Sequence, residues 1–147
     1  MAVITIAVDD AGVATFTLDR PQKLNALSLE LLRSIPQVCA ELARDERARV
    51  VVVRGSGRAF SAGFDLADFA GAGGDGAHLG LAAVEAIERI PVLTIAAVHG
   101  HCIGGGLLLA CACDQRVMAD GKGRVGVPEL LVGVPFPWLG LEILRAT

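Results

Sequence analysis

The chain contains no apolar run approaching the length of a membrane span; its hydrophobic residues, mostly Ala, Val and Leu, come in short stretches. It has no excess of cations either. Lys and Arg are scattered among Asp and Glu and the formal net charge is −3, which argues against a nucleic-acid surface and for a small-molecule or protein partner. The opening residues, MAVITIAV, lack the basic-then-apolar pattern of a secretory leader. The four cysteines (Cys39, Cys102, Cys111, Cys113) lack zinc-type spacing and stand in apolar contexts. They read as reduced core residues of a cytoplasmic protein, with Cys111 and Cys113 on different faces of a helix. The glycine-rich loop GSGR (55–58) lacks the GK[ST] ending of a P-loop and the GxGxxG spacing of a dinucleotide turn, and no Ser-His-Asp order, metal cluster or redox cysteine pair is visible.

What is present is a hydrophobic content of 53% over 147 residues, enough for one domain with a real core. No internal repeat and no linker divides it, so residues 1–147 read as one domain. Two β-rich runs, residues 3–8 and 13–18, flank Asp9-Asp10-Ala11-Gly12 and predict a hairpin. Residues 22–27 (QKLNAL) read as loop. Ser28 fits an N-cap for a helix running to about Asp45, with Leu31, Ile35, Val38 and Leu42 at helical spacing. Pro36 falls inside that pattern and predicts a kink or a split. The β-branched run 50–53 predicts a strand buried on both faces, parallel to a second strand at 92–98 across a helix over 78–90. Residues 71–76 (GAGGDG) read as a surface loop. Further strands are expected at 115–119 and 124–127, and a last helix over 138–146.

The stretch that organises the rest is residues 98–114, VHGHCIGGGLLLACACD. A short apolar strand leads to three consecutive glycines, which open an apolar helix. Glycine without a Cβ lets a ligand press on the backbone, and the first amides of a helix lack internal partners and favour negative charge. A seat for a developing oxyanion follows. The same triplet serves equally well as a tight turn or a close helix–strand contact.

Four segments, taken in order and spacing, resemble the crotonase (enoyl-CoA hydratase/isomerase) superfamily. They are DRPQKLNAL (19–27), GSGRAFSAGFDL (55–66), the stretch 98–114, and VPELLVGVP (127–135); the likeness covers essentially the whole chain. The resemblance implies an α/β fold, a spiral of ββα turns that binds a coenzyme A thioester and holds its oxygen with two backbone N–H groups. Carried over by position, the donors are Phe64, just after Ala62-Gly63, and Gly105, the middle glycine of the triplet. The adenine and pantetheine of coenzyme A would lie along Ala62, Gly63, Phe64, Asp65 and Leu66, with Lys23 or Arg58 toward the phosphates. By themselves those two cations are ordinary surface charges. Coenzyme A is part of the substrate, so no other cofactor is implied.

The family's hydratases use two glutamates, one two residues beyond the glycine triplet and one in an x-P-E segment. Here the first position is Leu108 and the second is Glu129. One carboxylate suffices to take a proton from C2 of a 3-enoyl thioester and return it to C4, whereas water addition is usually served by two. Members with only the second glutamate include Δ3,Δ2-enoyl-CoA isomerases, and the resemblance therefore implies double-bond isomerisation with Glu129 as base. From the residues alone Glu129 reads first as a surface glutamate following Pro128 at a helix start, which dipole and propensity both favour. Hydration of a 2-enoyl-CoA and a non-catalytic CoA-binding or oligomerisation role are the alternatives.

Other residues carry bland expectations: His99 and His101 as core packing or pocket wall, Asp65 as cap of the next turn, Asp114 as anchor of the loop after the central helix. Phe136 and Trp138 would line an acyl pocket, fill the core or make a subunit contact. Family members run further, with C-terminal helices that cover the acyl end and build trimers, often paired as hexamers. The expectation is an N-terminal spiral core with the C-terminal helical part missing, a homotrimer or hexamer when that part is present, with no membrane or nucleic-acid partner.

Overall fold

The computed structural model describes residues 2–70, 75–133 and 138–146. Strands β1 (Ile4–Val8) and β2 (Val13–Leu18) form the expected antiparallel hairpin, Ile6 opposite Phe16. The turn is held by the Asp9 carboxylate, which accepts the amides of Ala11 and Val13 at 3.0 and 2.8 Å, and by Gly12 at φ 84°. Such an Asx turn satisfies amides that the strands leave free.

Helix α1 (Leu29–Leu42) starts where Ser28 predicted, the Ser28 hydroxyl accepting the Leu31 amide at 3.2 Å. It stops at Leu42, short of Asp45, and Pro36 neither splits nor ends it. A proline inside a helix costs about 3 kcal/mol. Leu31, Leu32, Ile35, Cys39 and Leu42 are all buried along one side, and each large apolar side chain gains about 1.5–3 kcal/mol by burial. The packed face outweighs the proline.

From here the chain repeats one unit: a strand in a large sheet, a very short strand in a small sheet, then a helix. The first unit is β3 (Val50–Gly55), β4 (Ala59–Ser61), α2 (Leu66–Ala70) and α3 (Asp75–Glu88). The second is β5 (Leu93–Val98), β6 (His101–Ile103) and α4 (Gly105–Cys111). The third is β7 (Gln115–Met118), β8 (Val125–Gly126), a 3-10 turn (Pro128–Val132) and α5 (Trp138–Ala146). The large sheet has the order β1-β2-β3-β5-β7, parallel from β2 onward, and the small one β4-β6-β8. This is the ββα spiral the resemblance implied. α1 packs on α3, α3 on α4 and α4 on α5.

The core lies between the large sheet and these helices, with Phe16, Leu18, Val51, Val53, Ala96 and Val98 pointing inward. Three expectations are corrected here. β3 is not buried on both faces: Val51 and Val53 face the core while Val50 and Val52 are half-buried on the far side. The expected loop at 71–76 does not include Asp75 and Gly76, which belong to α3; its other four residues lie outside the described ones. The helix expected over 78–90 runs instead from Asp75 to Glu88, with Gly76, Gly80, Ala83, Val84 and Ile87 on its buried side. Among the described residues no helix is long and apolar enough to cross a membrane.

Candidate active site

The site is built where the two small-sheet strands β4 and β6 run out, each into a glycine turn. The turn after β4 is held from below by residues 24–27. Ala62 donates its amide to Leu24 C=O (2.9 Å), Leu27 donates to Gly63 C=O (2.7 Å) and Asp65 donates to Leu27 C=O (3.0 Å). The Gly63 amide reaches the Ser61 hydroxyl at 3.2 Å. This is a parallel bridge between Leu27 and Phe64 in which the bonds use the residues on either side of Phe64. Phe64's own N–H therefore points away from residues 24–27, and among the described residues it is the one amide from Ala62 to Asp65 without a protein acceptor.

The turn after β6 leaves the same vacancy by a different route. Gly104 donates its amide to Gly126 C=O at 2.8 Å, and its own C=O accepts the amides of Leu107 and Leu108. The amides of Gly105 and Gly106 precede the first intrahelical bond and have no acceptor among the described residues, as expected for the first amides of a helix. The two turns touch backbone to backbone. A Cβ on Gly63 would stand 2.8 Å from Ile103 O and 3.6 Å from the Gly105 nitrogen, and Gly63 sits at φ 87°. Only glycine permits both that approach and that conformation.

Glu129 enters from the 3-10 turn after β8. A Cβ on Gly104 would collide with Glu129 Oε1, so the carboxylate rests directly on the bare backbone one residue before Gly105. Its Oε2 is buried and has no hydrogen-bond partner. Of its apolar neighbours in sequence, Leu131 is 89% exposed and Val125 and Val127 are also exposed. The contact is with the glycine at 104 (φ 51°, ψ −121°). Leu108, at the position of the hydratases' first glutamate, is buried at 6% exposure in the core.

Sequence reasoning missed the groups that hold this arrangement. Asn25 is fully buried, and its Oδ1 accepts the Arg20 amide at 2.9 Å while its Nδ2 donates to Ser56 C=O and Ala59 C=O, each at 2.8 Å. Its own carbonyl accepts the Ser61 hydroxyl at 2.8 Å, which links Asn25 to the Gly63 amide through one side chain. Leu24 and Asn25 both adopt positive φ (51° and 54°); an asparagine that tolerates the left-handed region is the local signal that was available. Arg20 closes the same loop, donating to Ala26 C=O and pairing with Asp65 at 3.1 Å, the two side chains 16% and 13% exposed.

Asp65 does precede α2, and its C=O accepts the Phe69 amide, but its side chain serves Arg20 and shows no bond to the helix amides. Leu66 is exposed. His99 is exposed with its Nε2 on Gly57 C=O at 3.0 Å, and His101 is half-buried with its Nδ1 accepting the Arg124 amide at 3.2 Å; neither reaches the site turns by a hydrogen bond. Asp114 is the anchor expected of it, accepting both the amide and the hydroxyl of Thr94 at 2.8 and 2.9 Å. Those two bonds, the amide's first, hold its carboxyl below the usual carboxylate range. The four cysteines are unpaired, and burial pushes Cys39, Cys102 and Cys113 up to about 12. Phe136 and the side chain of Trp138 lie outside the described residues. Among the described residues no three His, Cys, Asp or Glu side chains gather as a metal site.

Two free amides at touching glycine turns thus lie beside a carboxylate whose Oε2 is buried and unpartnered. The sequence profile described as enoyl-CoA hydratase/isomerase matches residues 9–146, and the chain belongs to that family. A probable enoyl-CoA hydratase of Bacillus subtilis (strain 168) is 37% identical over 139 residues, covering 91% of this chain and 53% of that protein. The fatty acid oxidation complex subunit alpha of Shewanella oneidensis is 37% identical over 131 residues, which are 84% of this chain and 19% of that one. Among solved structures, an enoyl-CoA hydratase/carnithine racemase from Magnetospirillum magneticum matches with a TM-score of 0.90 at 34% identity, over 99% of this chain and 57% of that one. An enoyl-CoA hydratase of Mycobacterium smegmatis matches with a TM-score of 0.90 at 32% identity, over 99% and 58%. The spiral is thus the crotonase fold, and the chain spans about half the length of the enoyl-CoA hydratases it matches.

Proposed function

We propose that this chain carries the reacting centre of an enzyme that moves the double bond of a 3-enoyl-CoA to the 2-position through a thioester enolate. The observation that carries this reading is Glu129: a carboxylate resting on Gly104, its Oε2 buried and without a partner, one residue from a free amide. Buried polar atoms are nearly always bonded, and one left open beside free N–H groups is a group kept for a ligand.

The thioester oxygen sits between the amides of Phe64 and Gly105. Glu129 takes a proton from C2; the C2–H electron pair becomes a C1=C2 bond and the carbonyl π pair moves, with its negative charge, onto the thioester oxygen. As the carbonyl re-forms, the C1=C2 pair becomes C2=C3 and the C3=C4 pair takes up a proton at C4. The same carboxylic acid gives that proton. Two converging N–H dipoles act where that charge develops, and losing one such donor typically costs about 10²–10³ in rate. One proton makes the whole journey, so one carboxylate is enough. The buried Leu108 supplies no second one. Coenzyme A is part of the substrate. Its pantetheine and adenine lie along Ala62–Gly63–Phe64–Asp65–Leu66, and Lys23 and Arg58, exposed on loops that meet where Pro21 contacts Gly57, take the phosphates.

The experiment is hydrogen exchange at C2 and C4 of a 3-enoyl-CoA in deuterated buffer, followed by formation of the 2-enoyl product, with Glu129→Gln alongside. Exchange in the parent chain and a loss of about 10²-fold or more in the variant is the expected result; equal rates remove Glu129 as the base. Water addition to a 2-enoyl-CoA is the second reading, favoured by the name of the Bacillus subtilis relative; hydration that survives Glu129→Gln would require a proton donor other than Glu129. Coenzyme A binding in calorimetry with no turnover of either substrate would identify a non-catalytic binder.

A further inference from the structure

The side chain of Phe64 has a placement that its backbone role does not explain. Its ring stands between two glycines on different helices. A Cβ on Gly80 of α3 would lie 2.9 Å from Phe64 Cζ, and a Cβ on Gly105 would lie 3.0 Å from the same atom. Phe69 stacks on it with centroids 4.4 Å apart and is received by Gly76, where a Cβ would come within 2.5 Å of Phe69 Cε1. Gly76 and Gly80 are four residues apart on one side of α3, and glycine is unfavourable inside a helix. Both positions are bare where a ring lies against them, so α3 is shaped to admit the pair.

Glu129 rests on Gly104 and the ring on Gly105, the very next residue, and successive Cα atoms are about 3.8 Å apart. On the thioester reading, an acyl group with its C2 at Glu129 and its carbonyl at the Gly105 amide spans these two adjacent residues, one of which carries the ring. We infer that the Phe64 side chain, backed by Phe69 and seated on Gly80, is the wall that limits acyl-chain length, and that the site takes short acyl groups. This rests on the thioester reading above. The amide of residue 64 holds the oxygen whatever the side chain, so the two roles of Phe64 are separable.

The test compares 3-enoyl-CoA substrates of four and ten carbons in the parent chain, Phe64→Ala and Gly80→Ala. Truncating the ring opens the channel, and the ten-to-four ratio of kcat/KM should rise about tenfold or more, the scale set by a few methylenes in an apolar pocket. Gly80→Ala pushes the ring toward Gly105, and the ratio should fall. A ratio unmoved in Phe64→Ala overturns the inference. Should that variant not fold by circular dichroism, Gly80→Ala and the milder Phe64→Leu carry the test, and a ratio unmoved in both overturns it equally. Calorimetric binding of saturated acyl-CoAs of the same lengths separates the two readings. Graded binding that follows the variants, with no turnover, leaves the wall standing and removes the isomerase; turnover with no length dependence removes the wall alone.

Discussion

Replacing Asn25 by alanine should destabilise the protein more than any other single polar-to-apolar change near the site. Three backbone groups lose their partner at once: the Arg20 amide, the Ser56 carbonyl and the Ala59 carbonyl. An orphaned buried group costs about 1–3 kcal/mol. The bonds to Arg20 and Ser56 are partly reached by water, so they count at the low end, while the Ala59 bond is fully buried. Together these come to about 3–5 kcal/mol. Asn25 also sits at φ 54°, which costs a residue with a Cβ about 1–2 kcal/mol and asparagine less. The loss of about 4–6 kcal/mol is a large share of the 5–15 kcal/mol that holds a typical domain together. Urea unfolding followed by circular dichroism gives the number. Glycine at the same position escapes the φ penalty and should be about 1 kcal/mol less damaging than alanine. Aspartate keeps the acceptor for Arg20 but sets a carboxylate against two carbonyl oxygens, and should be the worst of the three. An alanine variant within 1 kcal/mol of the parent, or an aspartate variant as stable as it, would refute the account of this loop.

Gly104→Ala should lose activity out of proportion to stability, because its Cβ displaces the end of the flexible Glu129 side chain while a strained φ of 51° costs about 1–3 kcal/mol; the check is kcat against the urea midpoint. Asp114 has its carboxyl held low by Thr94, so the stability it contributes is present above the ordinary aspartate range and is lost as pH falls through its depressed value. Asp114→Asn should therefore flatten the acid limb of a stability–pH curve and leave the shape near neutrality unchanged. The thiols of Cys39, Cys102 and Cys113 are raised from 9.0 to about 12, so their contribution is full below 9 and erodes as pH climbs from there toward 12. In the native chain at pH 8, iodoacetamide followed by peptide mass mapping should find the half-buried Cys111 first, and all four only after denaturation.

The elements that were legible are those written in local pattern. The hairpin around Asp9–Gly12 and α1 with its Ser28 cap follow from periodicity and turn chemistry within about a dozen residues, and the parallel pairing of β3 with β5 follows from the strand–helix–strand order between them. The small sheet was only partly readable. Its strands hold three, three and two residues, too few to show alternation. Neither β4 nor β6 was expected as a strand of its own. The survival of α1 through Pro36 was not legible either, since a local rule carries no information on how much surface α3 covers. Asn25 went unremarked for the same reason: two of the three backbone groups its side chain serves, the carbonyls of Ser56 and Ala59, lie more than thirty residues away along the chain.

Which groups exist to do chemistry was written in residue identity. The glycine triplet, a glutamate at 129 and a leucine at 108 say what can and cannot carry a proton before any folding is considered. Which of them meet is a separate matter, because it depends on turns of the spiral some forty residues apart arriving at one place. That Phe64, among residues 62–65, keeps an amide with no acceptor among the described residues follows from its register against Leu27; that Glu129 lies on Gly104, and a phenyl ring on Gly105, follows from bare backbone letting distant segments touch. Contacts of that kind have no trace in a neighbouring residue, so they become visible only once the chain has closed on itself.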